Sequence, residues 1–94
     1  LMRELVNAER YIAPSMHHQG VDRLGTELVA TGIAEDGIIE FIEHRDRSRF
    51  ILGIQGHPEK ARLNLNKYNQ VFAHFVTRCR EFSALCAKEA SCQA

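Results

Sequence analysis

Phe50-Ile51-Leu52-Gly53-Ile54-Gln55-Gly56-His57-Pro58-Glu59 is the stretch on which the reading of this chain turns. Its apolar opening predicts a buried strand from Phe50 to Gln55 that ends by delivering His57 and Glu59 at its carboxyl edge, where open α/β sheets place their sites. Pro58 fixes its own φ and biases His57 towards an extended backbone, so the imidazole and the carboxylate are set on the same side of the chain. A carboxylate so placed accepts the Nδ1 proton of His57, fixes the tautomer and leaves Nε2 to act as a base towards a nucleophile. Two members of a catalytic triad are therefore expected, His57 and Glu59. The tripeptide alone is also what a polar surface turn looks like, so its weight depends on its surroundings.

Composition bounds the answer. The chain has 94 residues, enough for at most one small domain that buries roughly 60 to 65 per cent of its unfolded surface. With 12 basic and 12 acidic side chains, no net field draws it to nucleic acid, an acidic substrate or a membrane surface. Cys79, Cys86 and Cys92 are odd in number and spaced unlike a disulfide framework or a C-x-x-C pair, which predicts a reducing, cytoplasmic compartment. No apolar run approaches the roughly 20 residues of a membrane span, and Leu1 to Arg10 is too charged for a signal peptide. Leu1 is not an initiator, which predicts a chain processed, carved from a longer one, or numbered from where order begins.

Outward from the focal stretch, Asp36-Gly37 predicts a tight hairpin between a strand from Glu27 to Ala34 and another from Ile38 to Glu43, with both turn residues at positive φ. His44 to Arg49 mixes both signs of charge and reads as a solvated turn. Upstream, Tyr11-Ile12-Ala13 predicts a short strand entering Pro14-Ser15-Met16-His17-His18-Gln19-Gly20, and Val21 to Leu24 one turn of helix closed by Gly25. Leu1 to Asn7 is ambiguous between helix and strand and is assigned to neither. Downstream, Tyr68, Val71, Phe72, Phe75, Val76, Cys79, Phe82 and Cys86 recur at three and four, which predicts a helix from about Leu63 to Ala87 packed on the sheet. Cys79 and Cys86 are expected as small core residues of that stripe, and Ser91 to Ala94 to fray.

The strands carry apolar residues on both faces. Ile39 and Phe41 oppose Ile38 and Ile42, and Phe50 to Ile54 repeats the pattern, so the sheet needs cover on both sides. One helix cannot supply both. The second face is left for the amino-terminal segment, another copy, or a part of the domain outside this chain, and the last is favoured.

Pro14-Ser15-Met16-His17-His18-Gln19, Leu24-Gly25, Asp36-Gly37-Ile38-Ile39-Glu40 and Phe50 to Glu59 together resemble, in order and spacing, the carboxyl-terminal half of class I glutamine amidotransferases. The resemblance is to the γ-glutamyl hydrolase, or peptidase C26, branch and covers roughly Tyr11 to Phe82. It implies a partial flavodoxin-like α/β domain with a mixed sheet of about four strands and a long carboxyl-terminal helix. It implies hydrolysis of a γ-glutamyl amide through a thioester by a Cys-His-Glu triad, with His57 the base and Glu59 its orienting carboxylate. Ser15, His17, His18 and Gln19 match a segment lining the substrate pocket. Two departures stand out. Gly56 occupies a position where this branch commonly has an aromatic residue, and no cysteine precedes Pro14 where the family's nucleophile lies.

The chain is accordingly expected to be the carboxyl-terminal part, residues 1–94, of a single amidotransferase-like domain, inactive without the half that brings cysteine and oxyanion hole. Its expected ligand is a γ-glutamyl small molecule, with neither nucleic acid nor membrane as partner. Two other readings stay open. One is an interaction module whose second sheet face binds a partner chain or itself. The other is a small metal- or ligand-binding domain built on the histidine loop. No cofactor or metal is expected, because no nucleotide-binding glycine motif occurs and no ligand spacing joins His17, His18 and His57.

Overall fold

A hairpin frames the molecule. In the computed structural model, which describes residues 1–10, 16–60 and 65–93, strands β1 (Leu28–Ile33) and β2 (Ile39–His44) pair antiparallel, and β3 (Leu52–Ile54) pairs antiparallel with β2 on its other side. The turn between β1 and β2 closes with the Gly37 N–H donating to Ala34 O at 2.9 Å and the Ala34 N–H to Ile38 O at 2.9 Å. Gly37 has φ 89°, a value that glycine adopts without steric cost. Asp36, expected at positive φ, instead has a negative-φ backbone and accepts the Ile38 N–H on its carboxylate at 3.1 Å. The turn is thus held by an Asx bond and one glycine rather than by two left-handed residues.

The register shifts around Thr31, so Gly32 lies opposite Phe41. A β-carbon built on Gly32 would stand 2.1 Å from Phe41 Cδ2, so the ring lies across the glycine and the bulge makes room for it. On this face Phe41 packs with Leu52 and Ile54 against Met2 and Val6 of helix α1 (Met2–Val6) and Tyr68 and Val71 of helix α2 (Leu65–Gln93). A helix of 5 residues is too short to persist alone. Burial of Met2 and Val6, each worth about 1.5–3 kcal/mol relative to exposure, holds it in place. Its amino end rests on Glu43, whose carboxylate lies 2.9 Å from the Leu1 nitrogen and accepts the Met2 N–H at 3.2 Å. Its carboxyl end stops at Asn7, in the left-handed region at φ 52°.

Several expectations need correction. Among the described residues the sheet has three strands, all antiparallel, not a mixed sheet of about four. The proposed Tyr11-Ile12-Ala13 strand lies outside the described residues. Val21 to Leu24 forms bends instead of a helical turn, and Leu1 to Asn7, left unassigned, is largely helical. Helix α2 runs to Gln93, past the expected end at Ala87, because neither Gly nor Pro interrupts it. Cys79 and Cys86 are exposed, not core. Only the first turns of the apolar stripe are buried, at Tyr68 and Val71; further along, Phe82 and Leu85 are 67% and 54% exposed. Phe50 marks the transition, with its ring edge-on to His74 at 5.3 Å and the Arg78 guanidinium 5.7 Å from its centroid.

Candidate active site

β3 is an edge strand among the described residues, and the chain leaves it at Gln55, whose N–H donates to Glu40 O at 2.9 Å. His57 follows two residues later, and Glu59 lies in the single 3₁₀ turn Pro58–Lys60. Both therefore sit beyond the carboxyl end of β3, at the end of the sheet where the β1–β2 hairpin turns. His57 Nδ1 lies 2.7 Å from Glu59 Oε1. The side chains are 39% and 57% exposed, so solvent and any approaching chain have access to the pair. A carboxylate only accepts, so Nδ1 carries the proton and, in the neutral ring, Nε2 keeps its lone pair. The arrangement expected from the His-Pro-Glu spacing is present in its geometry.

The histidine loop lies at the same end of the sheet. His17 is largely buried, whereas His18 and Gln19 are exposed; Ser15 lies outside the described residues. His17 Nδ1 is 2.7 Å from Gln19 O, and Nε2 is 3.3 Å from Glu40 Oε1. Glu40 was not singled out from the sequence. The available signal was a carboxylate interrupting the apolar row Ile38, Ile42 on one face of the strand. Among the described residues no three His, Cys, Asp or Glu side chains converge as metal ligands, and no helix is long and apolar enough to cross a membrane. A surface hollow of about 720 Å³ follows α1, β1 and the hairpin turn and reaches Glu40 and Phe41, and among the described residues neither His57 nor His17 lines it.

Elsewhere the shifted acids are structural. Burial pushes the Glu43 carboxyl up, but hydrogen bonds from Thr31, the Leu1 nitrogen and the Met2 N–H outweigh it and hold the group below its ordinary value. Glu4 is lowered by its hydrogen bonds and attraction to Arg47, at 2.9 Å, and Asp46 by hydrogen bonds from Ser48.

An imidazole whose Nδ1–H is held by a carboxylate past the end of a strand presents its Nε2 lone pair outward, an arrangement capable of general acid–base chemistry. Comparison with known proteins narrows this. The family model of peptidase C26 matches residues 1–59, reaching back past Tyr11 and ending on Glu59, and the chain belongs to that family of glutamine amidotransferase-like proteins. A glutamine amidotransferase-like protein of Rickettsia prowazekii is 43% identical over 53 residues, covering 56% of this chain and 18% of its own length. The protein NtpR of Enterococcus hirae is 34% identical over 68 residues, 72% of this chain and 28% of its own. A protein of Mycobacterium tuberculosis named as a glutamine amidotransferase is 42% identical over 48 residues, 51% of this chain and 15% of its own. The chain thus spans less than a third of the length of these curated relatives. No solved structure matches it.

Proposed function

We propose that this chain is the carboxyl-terminal part of a single flavodoxin-like amidotransferase domain, and that it supplies the His and Glu of a Cys-His-Glu triad hydrolysing a γ-glutamyl amide in the cytoplasm. The observation that carries the reading is the 2.7 Å contact between His57 Nδ1 and Glu59 Oε1, which commits Nε2 to proton transfer. In this reaction Nε2 takes the proton of a cysteine thiol contributed from outside these 94 residues. The thiolate attacks the γ-amide carbon, and the C–N bond breaks as the imidazolium returns the proton to the departing amine. Water, deprotonated by the same Nε2, then cleaves the thioester to release glutamate and restore the thiol. Glu59 stays ionised throughout and stabilises the imidazolium. His17, His18 and Gln19 form one wall of the substrate pocket. The test is to purify the whole gene product containing this segment and assay glutamate release from glutamine and a chromogenic γ-glutamyl anilide. Hydrolysis that disappears in His57→Ala is expected; an inactive wild type that also traps no thioester overturns the reading.

The exposed apolar residues of α2, Phe72 to Leu85, favour a second reading, an interaction module that binds a partner chain or a second copy. Concentration-dependent dimerisation combined with absent hydrolysis would select it.

A further inference from the structure

Glu40 is placed where a carboxylate is expensive. It projects from β2 on the face opposite Phe41, between Ile38 and Ile42, and its side chain is only 13% exposed. Oε2 is buried and makes no hydrogen bond among the described residues. Oε1 lies 3.3 Å from Nε2 of His17, itself 16% exposed, 23 residues away in sequence. The opposite ring nitrogen settles part of the proton count. Nδ1 is 2.7 Å from Gln19 O, and a carbonyl only accepts, so Nδ1 is protonated. A bare Nε2 lone pair against a carboxylate would be repulsive. A proton on either atom makes the contact a hydrogen bond. The ring is gripped at both ends, and Gly20 extends the contact, since a β-carbon there would stand 3.5 Å from Ile38 Cγ2.

A largely buried acid with one partner among the described residues is a poor stabiliser, and an apolar pair of the same volume would serve the fold as well. Position is what it does supply. The Glu40 side chain holds His17, while its main-chain oxygen accepts the N–H of Gln55, two residues before His57. A single residue of β2 thus ties the histidine loop and the strand leading to the base to each other.

We propose that Glu40 is a positioning residue of the γ-glutamyl site: by clamping His17 it fixes residues 16–20 as a binding wall at the end of the sheet that carries His57. This rests on the function proposed above. The test uses the whole gene product carrying Glu40→Ala and Glu40→Gln, with steady-state kinetics on glutamine and a γ-glutamyl anilide and ¹⁵N-detected ring signals of His17. Loss of a hydrogen bond to a charged group corresponds to about tenfold or more in binding, so Glu40→Ala should raise KM by about tenfold while kcat changes less than about threefold. The His17 ring should lose its fixed Nδ1–H signature in the same variant. Glu40→Gln, whose amide N–H can donate to a neutral Nε2, should recover most of both, and Glu40→Leu, which keeps the volume but cannot bond the ring, should repeat the alanine result if the alanine variant does not fold. Unchanged KM in Glu40→Ala, a fall in kcat without a rise in KM, or unchanged His17 ring signals would each overturn the proposal. A wild type inactive on both substrates overturns the proposed function instead, and the His17 signals still decide whether Glu40 clamps the ring.

Discussion

His57 with Glu59 and His17 with Glu40 are the same two functional groups held in opposite ways at one end of one sheet. The first pair is two residues apart, 2.7 Å long and open to solvent; the second joins a loop to a strand across 23 residues, at 3.3 Å, mostly out of water. An exposed pair contributes little to stability, so in the proposed reaction the value of the first lies in the nitrogen it leaves free. A buried pair incurs desolvation and holds its surroundings in place, so the value of the second lies in geometry. Single deletions should separate the two. His57→Ala is expected to lower γ-glutamyl hydrolysis by about 10³-fold or more in the whole gene product, with unfolding free energy changed by less than about 0.5 kcal/mol in urea titrations. His17→Ala leaves Glu40 without its partner and should cost about 2 kcal/mol of stability, with a much smaller fall in kcat. A larger stability loss in His57→Ala than in His17→Ala would erase the distinction.

The same contrast explains what could be read in advance. The His57–Glu59 contact is local: Pro58 limits the backbone on both sides, and the sequence spacing is nearly the whole cause of the geometry. The β1–β2 hairpin was legible for the same reason, down to Gly37, although Asp36 fulfils its role through its side chain. Glu40 was passed over because its role depends on a residue far away in sequence, and periodicity says only that a polar side chain interrupts an apolar row. The helix was legible in kind but not in packing. A stripe of Tyr68, Val71, Phe75, Phe82 and Cys86 specifies an apolar face, not what covers it, and the cover among the described residues ends near Phe50 and Val71. Nor could α1 be read from five residues, because what holds it is Glu43 and the Phe41 cluster, both distant in sequence.

Glu43 supplies a control for Glu40. It lies on the same strand but points to the opposite face, and its carboxylate is satisfied by Thr31, the Leu1 nitrogen and the Met2 N–H. Its folded value is depressed, so the unfolded chain binds the proton more readily. The stabilisation is present in full above the ordinary value of 4.5 and is lost as pH falls through the folded value. Glu43→Gln should therefore cost about 2 kcal/mol at pH 7 and progressively less below about pH 4.5, where the wild type loses the same contribution. Denaturant midpoints across pH would show it. Glu4 and Asp46 are lowered as well, but they are common to both proteins and cancel in the difference. A gap that stays constant into acid would mean that Glu43 acts through packing rather than charge.

The smallest effect is expected at the far end of α2. Phe82 and Leu85 are apolar but 67% and 54% exposed, so little of either is withdrawn from water on folding. Replacing both with glutamine keeps a good helix former at each position and removes only that exposed surface. The double variant should shift the unfolding free energy of this chain by less than about 0.5 kcal/mol, measured in urea at low protein concentration. A loss above about 1 kcal/mol would mean that these side chains are covered in solution, and a loss that grows with protein concentration would place a second copy on them. The same two substitutions in the whole gene product ask a separate question. A cost that appears only there would show that the rest of the domain packs on this stripe, and that the helix reads as amphipathic because its cover lies in sequence outside these residues.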